Sequence, residues 1–441
     1  MKKIIFAIMV SGCVYGFGQE RKWTFQECVE HALEHNPDIR SQKIEIKSAE
    51  LNVKASRQSR LPNLGLGVTQ HFQFGRTLTG ENIYLDRHQS NTGVVLESEF
   101  VLFSGFQTKH RIAIDRLNLD ISFSCLEKAE KDVTLHIALQ FLQILFYKEL
   151  TKINREQIEL TKAQLGNTEN LTQLGRVPQS YIYDLKAQLA NDELIHTQSF
   201  IKEKESLLLL SQLLDLINFQ EFDIEIPVLK DIENLSLFFP QIDSIYASAL
   251  DFFPEIKIAR QLLDVSKKQL FLSKSAYYPT ISMYANYNNR YNYIYTVENK
   301  RLKDQLKGNQ QIGIGLSLCM PIFDRFAAKN KVSLCKMAME EQILQLEKAE
   351  KALYKEIQLA YFDVVTAVEK WNATEKNVEA LQIAFHHIEQ RYNAGKGTVY
   401  ELLEGKTKLT GALIEQSQIK YELVFRVKIL DFYRGEEIVI N

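Results

Sequence analysis

The chain has 441 residues, is 45% apolar and 24% charged, and carries a formal net charge of −2 at pH 7. That balance can furnish a large core, and it excludes a global field strong enough to recruit nucleic acid or anionic lipid. Only 8 prolines and 19 glycines interrupt it, which favours a few very long elements over many short ones.

Lys2 and Lys3 precede an apolar run, Ile4 to Phe17. The run falls short of the about 20 residues that cross a bilayer. Gly16-Phe17-Gly18 then offers a small-x-small cleavage site, so residues 1–18 read as a secretory signal peptide. Val10-Ser11-Gly12-Cys13 also looks like a lipoprotein box, but 12 residues before Cys13 are short for such a signal, and lipidation is disfavoured. No later run of about 18 apolar residues follows, so no transmembrane helix is expected. Cys28, Cys125, Cys319 and Cys335 lack paired or metal-binding spacing and read as small apolar packing residues without a structural disulfide.

From there the chain is written twice. Asn36-Pro37-Asp38-Ile39 recurs as Phe253-Pro254-Glu255-Ile256, and Leu61-Pro62-Asn63-Leu64 as Tyr278-Pro279-Thr280-Ile281, both 217 residues on. Leu102-Phe103-Ser104-Gly105-Phe106 recurs as Ile322-Phe323-Asp324-Arg325-Phe326 after 220. Leu126-Glu127-Lys128-Ala129-Glu130-Lys131 recurs unchanged from Leu346 to Lys351, and Gly175 recurs as Gly395, also after 220. The expected division is residues 19–215 for the first repeat, 216–240 for a linker containing Pro227 and Pro240, and 241–441 for the second repeat. Each repeat reads as a helix leading to a Pro, two strands, a very long helix, a Gly tip and a returning helix.

The strands alternate. Leu64, Leu66, Val68, Phe72 and Phe74 share one face against Gly65, Gly67, Thr69, His71 and Gln73. In the second strand Val94, Leu96, Phe100 and Leu102 oppose Gly93, Glu97 and Glu99. In the third, Ile281, Met283, Ala285 and Tyr287 oppose Ser282, Tyr284, Asn286 and Asn288. In the fourth, Ile312, Ile314, Leu316, Leu318 and Met320 oppose Gln311, Gly313, Gly315, Ser317 and Cys319. Four strands of about ten residues with one apolar and one polar face suit a membrane barrel with a wet lumen. Half-buried strands of a soluble sheet share the pattern. The signal peptide and the clustered Tyr284, Tyr287, Tyr291, Tyr293 and Tyr295 favour the membrane. The two Gly-x-Gly pairs lie inside strands and lack a third glycine, which excludes a nucleotide loop.

Gln107 to Leu174 is free of Pro and spans 68 residues, roughly 100 Å as a helix. Leu135, Leu139, Leu142, Phe146, Leu150 and Ile153 form a coiled-coil stripe, as do Leu346, Ala349, Leu353, Ile357, Ala360 and Val364. Return helices are expected from about Val177 to Leu214 and from Thr398 to Phe432. Four strands cannot close a transmembrane barrel, for which about eight is the minimum. An open edge in hydrocarbon leaves backbone groups unpaired, so copies of the chain must complete the barrel.

With its opening Trp23-Thr24-Phe25-Gln26-Glu27-Cys28, its strand-to-helix turns Val101 to Gly105 and Met320 to Asp324, its tips Leu174 to Val177 and Arg391 to Thr398, and its twofold repeat, the chain resembles the TolC family of outer-membrane efflux proteins from Trp23 to Phe432. The resemblance implies an α+β membrane protein: a homotrimer whose four strands per protomer build a twelve-stranded barrel, with long antiparallel coiled-coil helices forming a periplasmic tunnel. It implies residence in the outer membrane, contact with outer-membrane lipid, and docking to a periplasmic adaptor and an inner-membrane transporter. Val101 stands where the second copy has Pro321 at the turn. An adaptor would meet the tips, Gly175, Arg176 and Val177 with Gly395, Lys396 and Gly397. The resemblance also places Glu401 and Glu404, which share a helix face, at the periplasmic aperture. Threefold symmetry would make them a ring that binds cations. Acids in a first helical turn are otherwise explained by the helix dipole. Tyr392 matches a tyrosine that holds the mouth shut. The acid that partners it in the family is Tyr181 here, the gating arginine is Gly397, and Asp184 is the nearby alternative acceptor.

No nucleophile elbow, P-loop or metal-ligand motif is present, and His386 and His387 face different directions on one helix. An enzyme, a cofactor, a metal and a nucleic-acid partner are therefore not expected. Three functions remain: a small-molecule efflux duct, the outer-membrane exit of a type I protein secretion system, and a coiled-coil envelope scaffold without a pore.

Overall fold

The computed structural model describes residues 22–78, 82–217, 222–227, 241–295 and 297–440. The expected signal peptide and most of the expected 216–240 linker lie outside these residues. The chain forms two compact units. One comprises the chain up to Ser41, Lys128–Phe253 and the chain from Leu353 on; the other comprises Gln42–Glu127 and Pro254–Ala352.

The second unit holds the sheet. Four strands, β2 (Gly65–Gln73), β5 (Gln89–Ser104), β7 (Thr280–Ile294) and β8 (Gln311–Cys319), pair in the order β2-β5-β7-β8, every neighbour antiparallel. The edge strands have 9 residues, near the expected ten, but the central two have 16 and 15. A small hairpin, β3 (Arg76–Leu78) with β4 (Tyr84–Asp86), connects β2 to β5, and a short helix, α7 (Leu302–Gly308), connects β7 to β8. Neither was legible as an element in the sequence.

The apolar face is open. Leu64, Leu66 and Val68 are 65–73% exposed, and Ile312, Ile314, Leu316 and Leu318 are 70–76% exposed. Such a face is costly in water and suited to hydrocarbon. The ladder joins Leu66 to Leu96 to Tyr287 to Ile312 on that side. One residue departs from the expected alternation. A bulge places Val101 opposite Ser282 and Phe103 opposite Ile281, so Leu102 is the extra residue and Phe103 takes its place on the apolar face. On the polar face the Tyr284 ring lies over Gly315, where a Cβ would come within 2.4 Å of it. A bulky residue there meets a glycine across the strand pair.

The sheet passes to helix through two left-handed turns, at Gly105 (φ 60°) and Phe106 (φ 64°), and at Arg325 (φ 56°) and Phe326 (φ 63°). At Gly105 a Cβ would lie 2.6 Å from the Ser275 carbonyl, so only glycine fits. In the second turn Arg325 holds the same conformation. The helices that follow, α3 (Gln107–Gln173) and α8 (Ala327–Asn393), have 67 residues each.

The first unit is helical. Its entry helix, α1 (Phe25–His35), starts on a capping box in which the Thr24 hydroxyl accepts from Glu27 N–H and the Glu27 carboxylate accepts from Thr24 N–H. It stops at Asn36, because the residue before a proline is driven to extended backbone, and α2 (Pro37–Gln58) begins on that proline. Phe253-Pro254 divides α5 (Ile242–Phe252) from α6 (Pro254–Lys274) in the same way. The single opening helix expected in each repeat is thus two. Asn36 is 4% exposed; its amide donates to the Leu213 carbonyl at 2.9 Å and accepts from Asp38 N–H at 2.9 Å. It caps the end of α4 (Ser180–Leu213) and the start of α2 together. A two-residue parallel pair, β1 (Lys22–Trp23) with β6 (Asp223–Ile224), lies nearby in sequence to α1 and the linker.

The core face of α3 is wider than the expected stripe. Leu142 is buried as expected, together with Ile137, Ala138, Phe141, Ile144 and Leu145, whereas Leu139 is 41% exposed. Phe25 of α1 packs edge-on against Phe141, with ring centroids 5.7 Å apart, and draws that face inward. On α8 the expected Leu353, Ile357, Ala360 and Val364 are all buried. The returning helix α9 (Val399–Arg434) starts on a second capping box, Thr398 with Glu401, and ends on Gly435 at φ 82°.

Candidate functional site

The two hairpin tips lie in the first unit. Each long helix ends in a glycine of positive φ, Gly175 at 69° and Gly395 at 70°. Arg176 N–H donates to the Leu171 carbonyl and Lys396 N–H to the Arg391 carbonyl, both at 3.0 Å. Gly175 and Gly395 N–H bond over a span two residues shorter, to Thr172 and Tyr392, each at 2.9 Å. These are matching Schellman ends, and nothing lies within 4 Å of a Cβ at either glycine, so backbone geometry alone requires them. Arg176 and Lys396 are exposed beside them and Val177 is half-buried. Gly397 is different: a Cβ there would press on the Tyr392 backbone N at 3.2 Å.

Behind the second tip, Tyr392 is 1% exposed and packs with Leu185, Phe385, Val399 and Leu402. Its hydroxyl lies 2.7 Å from that of Thr168. The Thr168 hydroxyl also lies within hydrogen-bond reach of the Gln164 carbonyl, at 2.8 Å. Burial pushes the phenol above its ordinary range, partly offset by the Thr168 contact. Asp184, expected as the acceptor, is solvent-exposed on α4 instead. The neighbouring turn of α4 directs Leu185, not Asp184, at Tyr392, because successive helix residues point about 100° apart.

Glu401 and Glu404 each have a cation of their own. Glu401 accepts from Thr398 N–H at 3.2 Å as a capping residue, and Arg391 approaches its carboxylate at 3.5 Å. Glu404 pairs with Lys408 at 2.8 Å, one turn on. Arg391, Glu401, Glu404 and Lys408 rim a cavity of about 280 Å³ floored by Leu381, Phe385 and Ile388. The expected bare pair of acids is thus a balanced cluster of two acids and two bases.

A buried ion pair lies deeper in the same hairpins and went unread in the sequence. Lys406 on α9 is 3% exposed, and its ammonium lies 2.6 Å from the Asp192 carboxylate of α4, itself 7% exposed. The Thr161 hydroxyl of α3 accepts from Lys406 and donates to Asp192, and the Gln188 amide donates to the other carboxylate oxygen at 2.7 Å. Burial pushes the Lys406 pKa down, opposed by Asp192. The signal that would have found it is a polar period of seven. Asn154, Thr161 and Thr168 recur on α3, and Asp192, Ser199 and Ser206 on α4. Antiparallel pairing stacks Asn154 on Ser199, with a 3.1 Å hydrogen bond, and Thr161 on Asp192.

Among the described residues no group of three or more His, Cys, Asp or Glu side chains is placed to hold a metal, and no helix is long and apolar enough to cross a membrane. Cys28, Cys319 and Cys335 are free thiols. Cys28 is fully buried, which pushes its thiol up to about 12.

Comparison with known proteins agrees with this geometry. The family model described as outer membrane efflux protein matches residues 245–435. The outer membrane protein TolC of Salmonella enteritidis is 21% identical over 96% of this chain and 86% of its own length. Among solved structures, the transmembrane channel CusC superposes with a TM-score of 0.79 at 14% identity, over 94% of this chain and 92% of that one. The outer membrane protein VceC from Vibrio cholerae gives 0.77 at 15% identity, over 93% and 96%. These likenesses establish the fold: a four-stranded antiparallel sheet joined to long helical hairpins. The chain thus carries a region matching the outer membrane efflux protein model at residues 245–435 and shares, over nearly its whole length, the fold of outer-membrane channel proteins.

Proposed function

We propose that this chain is one third of the exit duct of a tripartite efflux pump, passing small molecules from an inner-membrane transporter and a periplasmic adaptor to the outside. The observation that carries the reading is the sheet. Its apolar face is bare, and its edge strands β2 and β8 have equal length and opposite direction. The β8 edge of one copy therefore fits the β2 edge of the next as an antiparallel pair. Repetition closes a barrel without a free edge in hydrocarbon. Two copies would make an eight-stranded barrel filled by side chains, and three a twelve-stranded one with room for solute. The polar strand faces, with Glu97, Glu99, Asn286, Asn288 and Gln311, would line its lumen.

In this reading Tyr392, Glu401 and Glu404 surround the periplasmic aperture, with Asp184 on the adjoining helix. The tips at Gly175, Arg176, Val177, Gly395, Lys396 and Gly397 meet the adaptor. A type I secretion duct would share every one of these features. The test is native mass and planar-bilayer conductance of the detergent-extracted protein, together with growth of a deletion strain on dyes and detergents. A conducting trimer and a sensitised strain are expected. A stable monomer, or a silent bilayer, would overturn the duct. A strain that tolerates the toxic compounds but retains an exported protein would favour secretion.

A further inference from the structure

At the loop end of the sheet β7 outruns β8. Gln311 pairs with Asn288, while Asn289 to Ile294 continue with β5 as their strand neighbour. The other edge of that extension is closed by side-chain amides from the segment that follows. Asn309 donates to the Arg290 carbonyl at 2.7 Å. Gln305 accepts from Asn292 N–H at 3.0 Å and donates to the Asn292 carbonyl at 2.9 Å. Asn299 accepts from Ile294 N–H at 2.9 Å and donates to its carbonyl at 2.7 Å. Every second edge residue meets an amide that stands in for a strand backbone. Segment 297–309, with α7 inside it, is therefore strapped into the place a longer β8 would take.

The neighbour of that strap follows from strand register and rests on the closed-barrel reading. Across one sheet Gln311 is level with Asn288, Val95 and Gly67. Pairing β8 with β2 of the next copy over their full lengths sets Gln311 against Gln73, six residues further towards the loop end. Six residues at about 3.3 Å, against four strands spaced about 4.8 Å, tilt the strands by about 45°, within the range of closed barrels. The strap leads straight into Gln311, so it then lies beside β3 and β4 of the next copy. Both surfaces carry exposed apolar side chains. Leu302 and Leu306, one turn apart on α7, are 52% and 39% exposed; Leu78, Tyr84 and Leu85 are 49%, 60% and 53% exposed.

We propose that the strap is a docking surface for the β3–β4 hairpin of a second copy of this chain, forming an apolar rim contact beyond the paired part of the edge strands. The contact buries side chains that one copy leaves in water. It also holds the strand register from outside the bilayer.

Cysteine cross-linking tests it. Leu306→Cys is combined with Leu78→Cys, and separately Leu302→Cys with Leu85→Cys, with Cys28, Cys125, Cys319 and Cys335 replaced by Ala. Membranes are treated with a short bis-maleimide. Covalent multimers are expected from at least one pair and from neither half of it alone. No multimer from either pair, in a protein whose native mass is still oligomeric, would overturn the rim contact and leave the barrel standing. A monomeric native mass would overturn both. Leu302→Ser with Leu306→Ser alters exposed positions only, and is expected to lower the temperature at which the oligomer dissociates. An unchanged dissociation temperature would count against the contact.

Discussion

Lys406 shows what one residue does in these coiled coils. A buried ammonium is tolerated because Asp192 neutralises it and Thr161 and Gln188 complete the hydrogen bonds. Such a pair adds little net stability, since desolvation offsets the attraction, but removing one member leaves the other charged and unpaired. Lys406→Met should therefore destabilise the helical unit by about 3–5 kcal/mol, whereas Lys406→Met with Asp192→Leu should restore most of the loss. Thermal loss of helical circular dichroism in the single and double variants decides the matter. If the two changes simply add, the pair is not coupled. Tyr392 is a milder case, because its phenol stays neutral and loses only one buried hydrogen bond on change to Phe.

At the scale of the element, the tips are the informative feature. The two Schellman ends are the same in geometry, yet their surroundings differ. α9 begins on a capping box, Thr398 with Glu401, whereas Gln179 precedes α4 without a side-chain cap. Both tips present an exposed cation next to the glycine, Arg176 and Lys396, on backbone fixed by hydrogen bonds. A charge held on a rigid turn suits recognition, because little freedom is lost when a partner binds. Arg176→Glu with Lys396→Glu should lower export while leaving oligomer yield unchanged, since neither side chain contributes to the turn. Export measured alongside native mass separates the two effects. Unaltered export would place the partner elsewhere.

At the scale of the whole molecule, the charge around the proposed aperture changes in meaning. An acidic ring repels anions if its carboxylates are bare. Here Arg391 and Lys408 lie 3.5 and 2.8 Å from Glu401 and Glu404, well inside the screening length of about 8 Å at physiological salt. The wild-type duct is therefore expected to be only weakly cation-preferring. Glu401→Gln with Glu404→Gln should leave two unpaired cations per chain and turn the preference towards anions. The reversal potential in an asymmetric salt gradient gives the sign. A duct whose selectivity is the same with and without these acids would have its constriction at another level.

Much of the architecture is set locally along the chain. Strand alternation from Leu64 to Phe74 and from Ile312 to Met320, the proline-free run from Gln107, and the tip glycines are local signals. A period of two, a period near 3.6 and a positive φ are each imposed within a few residues. Other features depended on contacts between distant parts of the chain. The bulge at Leu102 exists because β5 must match β7, and the added burial of Phe141 on α3 because Phe25 packs on it. The amides of Asn299, Gln305 and Asn309 gain meaning only beside the open edge of β7. Glu401, Tyr392 and Lys406 could be picked out or passed over as letters, but their partners Arg391, Thr168 and Asp192 were settled by helix packing, whereas Lys408 lies one turn from Glu404 on the same helix. Periodicity determines which face of an element is apolar; only the packed structure decides which charge meets which, because that depends on the register between helices rather than on the order of residues within one.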